Sequence, residues 1–248
     1  MAQITDNAII LRTRPFSDTS IIAVVLTRSH GKVSVLAKGA RRIKGGAGAS
    51  LEPFTRAELV YYDKPGRSLQ TLAKSAIVDS TPALSTSLGA TAAANLAAEC
   101  VDRLVEEGEP HSDVYAALAA SLGQLEAGRE PVATAAGFVV RLLTCLGYSP
   151  SLAECAECGG AVEGTAVLDP RRGGVLCPQC DVGAGGVTLS GGSLTLLRRL
   201  AMAGPPAGLK LAPGQKRELM AVAEVLIEGQ LDRPLRSANF ARQVLLGS

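Results

Sequence analysis

Ser20-Ile-Ile-Ala-Val-Val-Leu-Thr27, then Arg28-Ser-His-Gly31, then Lys32-Val-Ser-Val-Leu-Ala-Lys38 decides how the first third of the chain folds. Residues 20–27 are rich in β-branched side chains, and His30-Gly31 carries the turn chemistry that joins two strands. In residues 32–38 the pattern alternates, with Lys32, Ser34 and Lys38 on one face and Val33, Val35 and Ala37 on the other. Upstream, Ala8–Arg14 reads as a strand ending in a turn at Pro15–Asp18. Downstream, Thr55–Tyr62 and Leu69–Asp79 read as two more around Asp63-Lys-Pro-Gly66. Five short strands at these intervals predict a small barrel or sandwich. A five-stranded nucleic-acid-binding barrel fits the size and the charge.

The charge is divided along the chain. Residues 1–80 hold twelve Lys and Arg against six Asp and Glu, residues 81–145 three against eight, and residues 146–248 ten against nine. A basic first segment predicts a polyanion-binding end. Between the third and fourth strands, Lys38-Gly-Ala-Arg-Arg-Ile-Lys-Gly-Gly-Ala-Gly-Ala49 places four cations among glycines. Such a loop can follow a phosphate backbone without a fixed base geometry; a solvated loop kept basic for solubility is the plainer alternative. Its glycines do not match a phosphate-loop motif. With the cations of neighbouring strands, the candidate phosphate contacts are Arg12, Arg14, Lys32, Lys38, Arg41, Arg42 and Lys44. Phe16, Phe54, Tyr61 and Tyr62 are half of the chain's eight Phe and Tyr. Tyr61 and Tyr62 must point to opposite faces, and Phe16 and Phe54 read as core or turn packing. Binding led by phosphates, with little base stacking, is the expectation.

After Ser80-Thr-Pro82 the hydrophobic period changes. Leu88, Ala92, Leu96, Cys100 and Leu104 step by four through a long helix, whose last turn is expected to hold Glu106, Glu107 and Glu109. Ser112 N-caps a second helix with Val114, Leu118, Leu122 and Leu125 inward, and Pro131 opens a third that stops near Gly147. Cys100 and Cys145 read as packing residues. Further helices are expected over Ser193–Ala203, Gly214–Leu231 and Arg236–Leu246.

Between the helices stand Cys155-Ala-Glu-Cys158 and Cys177-Pro-Gln-Cys180. Two Cys-x-x-Cys turns at this separation match a four-thiolate zinc site, with Gly159-Gly160 and Gly173-Gly174 supplying permissive backbone. One structural Zn²⁺ held by Cys155, Cys158, Cys177 and Cys180 is expected; two disulfides or a redox dithiol are the alternatives. Thr165–Leu168 and Gly174–Leu176 fit a hairpin across Asp169-Pro170. Arg171, Arg172, Arg198 and Arg199 either extend a basic surface or serve solubility. The fold class is therefore α+β multidomain: a barrel over 1–80, helices over 81–152, a zinc ribbon over 153–186 inserted in the helical domain, and helices again over 187–248.

The composition, 47% hydrophobic and 19% charged, is that of a globular chain. Met-Ala-Gln-Ile lacks a leader pattern and no apolar run reaches a membrane span, so a cytosolic protein without membrane contact is expected. No triad, carboxylate pair or phosphate loop is present. The two histidines, His30 and His111, have no partner in the sequence pattern that would make either a base. The expectation is a binding protein rather than an enzyme. A zinc-ribbon transcription or RNA-binding factor is one alternative, and a thiol oxidoreductase or zinc hydrolase is another.

Thr27-Arg-Ser-His-Gly-Lys-Val-Ser-Val-Leu-Ala-Lys-Gly-Ala-Arg-Arg42, Leu51-Glu-Pro-Phe54, Leu142-Leu-Thr-Cys-Leu-Gly-Tyr-Ser-Pro150, Gly173-Gly-Val-Leu-Cys177 and Arg233-Pro-Leu-Arg-Ser237 occur in this order. In these residues the chain resembles the RecO family of bacterial recombination mediators and DNA-annealing proteins. The resemblance implies an N-terminal OB-fold, a helical domain and a zinc ribbon. It also implies binding of single- and double-stranded DNA, annealing of complementary strands, and, with RecR, loading of RecA onto DNA coated by single-strand-binding protein. It carries over no catalytic residue. It implies contact between the helical domain and the tail of single-strand-binding protein, with Arg141 near the groove, and association with the nucleoid during repair. Some members lack the zinc cysteines, which tells against the ribbon being the DNA-handling core.

Overall fold

A computed structural model describes residues 2–41, 47–64, 66–183, 185–231 and 233–247. Strands β1 (Ala2–Pro15), β2 (Ile21–Thr27), β3 (Gly31–Ala37), β4 (Arg56–Asp63) and β5 (Leu69–Asp79) close into a barrel of order β1-β2-β3-β5-β4. Every pairing is antiparallel except β3 with β5. This is a five-stranded OB barrel. Strand β1 is long enough to serve two neighbours: Ala2–Ile9 runs against β4 and Ala8–Pro15 against β2. A bulge between Ile10 and Arg12 bends it from one to the other.

The alternation read from the sequence sorts the barrel's two faces. Ala8, Ile10, Ala23, Val25, Val35, Leu59 and Tyr61 fill the interior, and burial pushes the Tyr61 hydroxyl up to about 12, with Asp6 and Asp63 adding to it. The outer face of β1 and β2 is apolar too, and Ile9, Leu11, Ile22, Val24 and Leu26 are all buried. Each such side chain contributes roughly 1.5–3 kcal/mol by leaving water. A second buried face needs a cover, and the compact unit that holds the barrel also includes Val101–Leu122.

The β2–β3 connection has three residues, Arg28–His30, and Gly31 follows in the left-handed region at φ 71°. That is the hairpin in which a turn is closed by a glycine bulge. A Cβ on Gly31 would also lie 2.1 Å from the Glu109 carbonyl oxygen. Gly31→Ala is therefore expected to lower stability on the order of 3 kcal/mol, from backbone strain and steric clash together. Equal denaturation midpoints for the two proteins would refute this.

The other compact unit comprises Ala83–Cys100 and the chain from Gly123 onward. The helices are α1 (Pro82–Thr86), α2 (Leu88–Leu104), α3 (Ser112–Glu126), α4 (Pro131–Cys145), α5 (Gly191–Ala203), α6 (Pro213–Glu228) and α7 (Arg236–Leu246). Val114, Leu118, Leu122 and Leu125 are buried as the periodicity requires, whereas Leu88 at the start of α2 is 63% exposed. Helix α4 is apolar on nearly every side and packs against both α5 and α6, as a helix with no polar face must. Cys100 is buried, and Cys145 is only half-buried at the end of α4. The acidic residues Glu106, Glu107 and Glu109 lie beyond α2 rather than in its last turn. Three carboxylates at a helix C-terminus would oppose its dipole, and the helix stops at Leu104.

Strands β6 (Ala166–Asp169) and β7 (Gly174–Leu176) form the expected hairpin, and β8 (Val187–Leu189) adds a third strand on the other side of β6. Among the described residues, no helix is long and apolar enough to cross a membrane.

Candidate nucleic-acid interface and metal centre

At one end of the barrel Pro15 pairs with Ile21, and Ile21 with Ala37. One step further out, the Phe16 N–H donates to the Ser20 carbonyl (3.0 Å), and the Arg41 N–H donates to the Thr19 carbonyl (3.1 Å). The β1–β2 turn and the start of the β3–β4 connection are thus tied together. Arg14 on β1, Lys38 just past β3, and Arg41 are all exposed at this end. No ion pair among the described residues includes them. Arg42 and Lys44 lie outside the described residues. Phe16, expected in packing, is instead 57% exposed. It stands one residue past the last β1–β2 rung, beyond the filled interior.

The other two candidate cations have local partners. Lys32 is buried; its Nζ donates to the Asp102 main-chain carbonyl and lies 3.7 Å from Asp102 Oδ1. Arg12 Nε is 2.5 Å from Asp102 Oδ2, although the side chain is half-exposed. Ser34, on the same face, donates to Glu107 (3.2 Å). At Lys32 and Ser34 the polar face of β3 is therefore covered by the last turn of α2 and the acidic segment that follows it. Lys32 is a structural cation, because a buried ammonium costs several kcal/mol unless it is paired.

The opposite end of the barrel is mixed in charge, with Lys32, Arg67, Asp63 and Glu107 lining a cleft of about 460 Å³. The sequence left His30 without a partner, but Asp6 Oδ2 lies 2.7 Å from its Nδ1 and also accepts the Ser29 N–H at 2.9 Å. His111 Nε2 lies 3.8 Å from Glu109. The first pair ties β1 to the β2–β3 turn, which the sequence alone does not bring together, whereas His111 and Glu109 are two residues apart in the chain.

In the ribbon the Sγ atoms of Cys155, Cys158, Cys177 and Cys180 lie within 4.8 Å of one another, and Cys158 and Cys177 are 4.0 Å apart. Sulfurs bound tetrahedrally at about 2.3 Å from one ion stand roughly 3.8 Å apart, so the four thiols fit a metal. The knuckle turns are held by main-chain bonds, Gly159 N to Cys155 O (2.9 Å) and Cys180 N to Cys177 O (3.0 Å). Gly159 and Gly173 take the left-handed backbone at φ 70° and 78°. Cys155 is the most enclosed, and the N–H groups of Cys158 and Cys177 hold its thiol down to about 6. Main-chain donors of this kind favour thiolate, the form a metal binds.

Arg198, grouped in the sequence with possible surface cations, points into the fold. From α5 its Nε donates to the Leu152 carbonyl (2.7 Å), and a terminal nitrogen donates to Val162 (2.8 Å). It fastens both sides of the first cysteine knuckle to the helices. Arg172 pairs with Glu157, and Arg141 donates to the Leu200 carbonyl at 2.9 Å. Periodicity gives no sign of these roles, since each depends on a partner far along the chain.

An OB barrel with a basic end whose cations have no ion-pair partner among the described residues, followed by a helical unit that carries a four-cysteine ribbon, defines a class of two-part, cysteine-ribbon OB proteins. Known proteins specify the family. Residues 1–81 match the family description "Recombination protein O N terminal", and residues 85–239 match "Recombination protein O C terminal". Similar relatives include "DNA repair protein RecO" of Desulfitobacterium hafniense, 32% identical over 96% of this chain and 89% of its own. The protein of the same name from Symbiobacterium thermophilum is 40% identical over 81% of this chain and 80% of its own. That from Anaeromyxobacter sp. (strain K) is 33% identical over the full length of both. The chain belongs to the RecO family of DNA repair and recombination proteins. A match across both parts disfavours the transcription-factor alternative.

Proposed function

We propose that this protein is a recombination mediator that binds single- and double-stranded DNA through phosphates and anneals complementary strands. With RecR it helps load RecA onto DNA coated by single-strand-binding protein, whose tail docks on the helical domain. The observation that carries the DNA-binding part is the convergence at one barrel end of exposed Arg14, Lys38 and Arg41, which have no ion-pair partner among the described residues. Arg42 and Lys44 follow directly in sequence and enlarge the same cation set. Cations on two loops can neutralise phosphates of two strands at once, which lowers the repulsion between strands that must meet. In this reading residues 1–80 handle DNA, while 81–152 and 187–248 form the helical domain around the ribbon at 153–186. The protein has no chemistry of its own and works in the cytoplasm, at the nucleoid during repair. Its cysteines hold one structural Zn²⁺, since an all-thiolate set selects a soft metal and leaves no open position for substrate.

The test is the salt dependence of DNA binding. Arg14→Ala, Lys38→Ala and Arg41→Ala should each reduce the slope of log K against log salt by about 0.7–0.9, the value for one phosphate contact. Lys32→Met should leave the slope unchanged, because its charge is already satisfied by Asp102. Binding independent of salt, or a slope that falls only in the Lys32 variant, would refute the proposed grip.

A further inference from the structure

The same barrel end carries a feature that a purely phosphate-led grip does not use. Phe16 is 57% exposed at the tip of the β1–β2 turn. Among the described residues it is one of three exposed aromatic side chains, with Tyr148 and Phe240, and it is the exposed one in the barrel. Of the other barrel aromatics, Tyr61 and Phe54 are buried, and Tyr62 is half-buried on β4. Phe16 lies two residues beyond Arg14 and, through the Phe16–Ser20 hydrogen bond, one step out from the Pro15–Ile21–Ala37 row. Lys38 continues β3 from that row. Two strand spacings put the Phe16 and Lys38 backbones roughly 10 Å apart. Arg41 is held to the same turn by its N–H bond to Thr19. An exposed aromatic side chain therefore shares one barrel end with three exposed cations that have no ion-pair partner among the described residues.

We infer that Phe16 is a stacking platform for an unpaired base of single-stranded nucleic acid, with Arg14, Lys38 and Arg41 holding the phosphates on either side of that base. The inference rests on the DNA-binding reading above and adds a strand preference to it. Phosphate contacts alone treat single strand and duplex alike apart from charge density. A ring face can be covered only by a base that is free of its own stack. The arrangement suits any base, because every base offers a π-face. A mediator that works where strands are open would then be retained on unpaired segments and released as they become duplex.

The test uses the full-length protein with a thymidine oligonucleotide, an abasic strand of equal length, and a duplex, at one salt concentration. Phe16→Ala should weaken binding to the thymidine strand about five- to a hundredfold, the range for one lost base stack. Binding to the abasic strand and the duplex should change less than about twofold. Phe16→Trp should keep the affinity and add the chain's single indole, whose emission should be quenched by the thymidine strand and not by the abasic one. Unchanged thymidine binding by Phe16→Ala, an equal loss on all three ligands, or no base-dependent quenching would each overturn the inference. If the unmodified protein binds none of the three, the DNA-binding reading falls first and stacking with it. If it binds all three and only the Phe16 arms fail, stacking alone falls.

Discussion

Cys155→Ser is expected to release the ribbon's metal and unfold the segment between the knuckles, leaving the rest of the helical unit and the barrel intact. The sheet β7-β6-β8 comprises strands of three, four and three residues. So small a sheet has little apolar area to set against chain entropy. A metal held by the four thiols would therefore supply much of the local folding energy, on the order of 10 kcal/mol for a structural zinc site. Cys155 is the position to change because it is buried and its sulfur accepts the Cys177 N–H at 3.4 Å, which links the two knuckles even apart from the ion. Metal content should fall from one ion per chain to none, and limited proteolysis should cut between the two cysteine pairs. DNA affinity should be unchanged, since the proposed phosphate contacts belong to the other compact unit. A metal-free variant as resistant to protease as the parent would remove the ion from its structural role.

Loss of Arg41 and Arg42 together is expected to reduce single-strand affinity about ten- to a hundredfold at low salt, as two charge-assisted contacts disappear. Annealing on DNA coated by single-strand-binding protein should fall in step. Arg41 is exposed and, among the described residues, is bonded to the neighbouring turn through its backbone N–H, so its side chain can be removed without disturbing that turn. The loss should shrink as salt rises, because the counterions that the two arginines displace become easier to replace. Annealing at the parental rate by the double variant would remove both residues from the proposed grip.

The contrast between Arg41 and Lys32 shows where the sequence was legible. Alternation in residues 32–38 placed Lys32 and Ser34 on the outer face correctly, because strand period depends only on neighbours in the chain. It could not tell that the outer face is covered, because the cover begins at Val101 and Asp102. His30 and Asp6 form a pair for the same reason, being brought together only when β1 and the β2–β3 turn meet. The cysteine cluster was legible because two short spacings fix two turns by themselves. Phe16 was misread because a turn residue's exposure depends on whether the interior has room for it. That interior is already filled from β1 to β4 by the side chains of Ile10, Leu59 and Tyr61.

Arg198 gives the ribbon an attachment that does not depend on a metal at the four thiols. Its guanidinium holds the Leu152 and Val162 carbonyls, which bracket the first knuckle, and asks nothing of the sulfurs. Loss of an ion could then unfold the strands between the knuckles while the flanks of the first knuckle at Leu152 and Val162 stayed against α5, so the damage need not travel into that helix. Mutational loss of the cysteines can be survived in stages. A descendant could replace the four thiols one at a time while the arginine keeps the appendage in register, and the helical unit would tolerate each intermediate form.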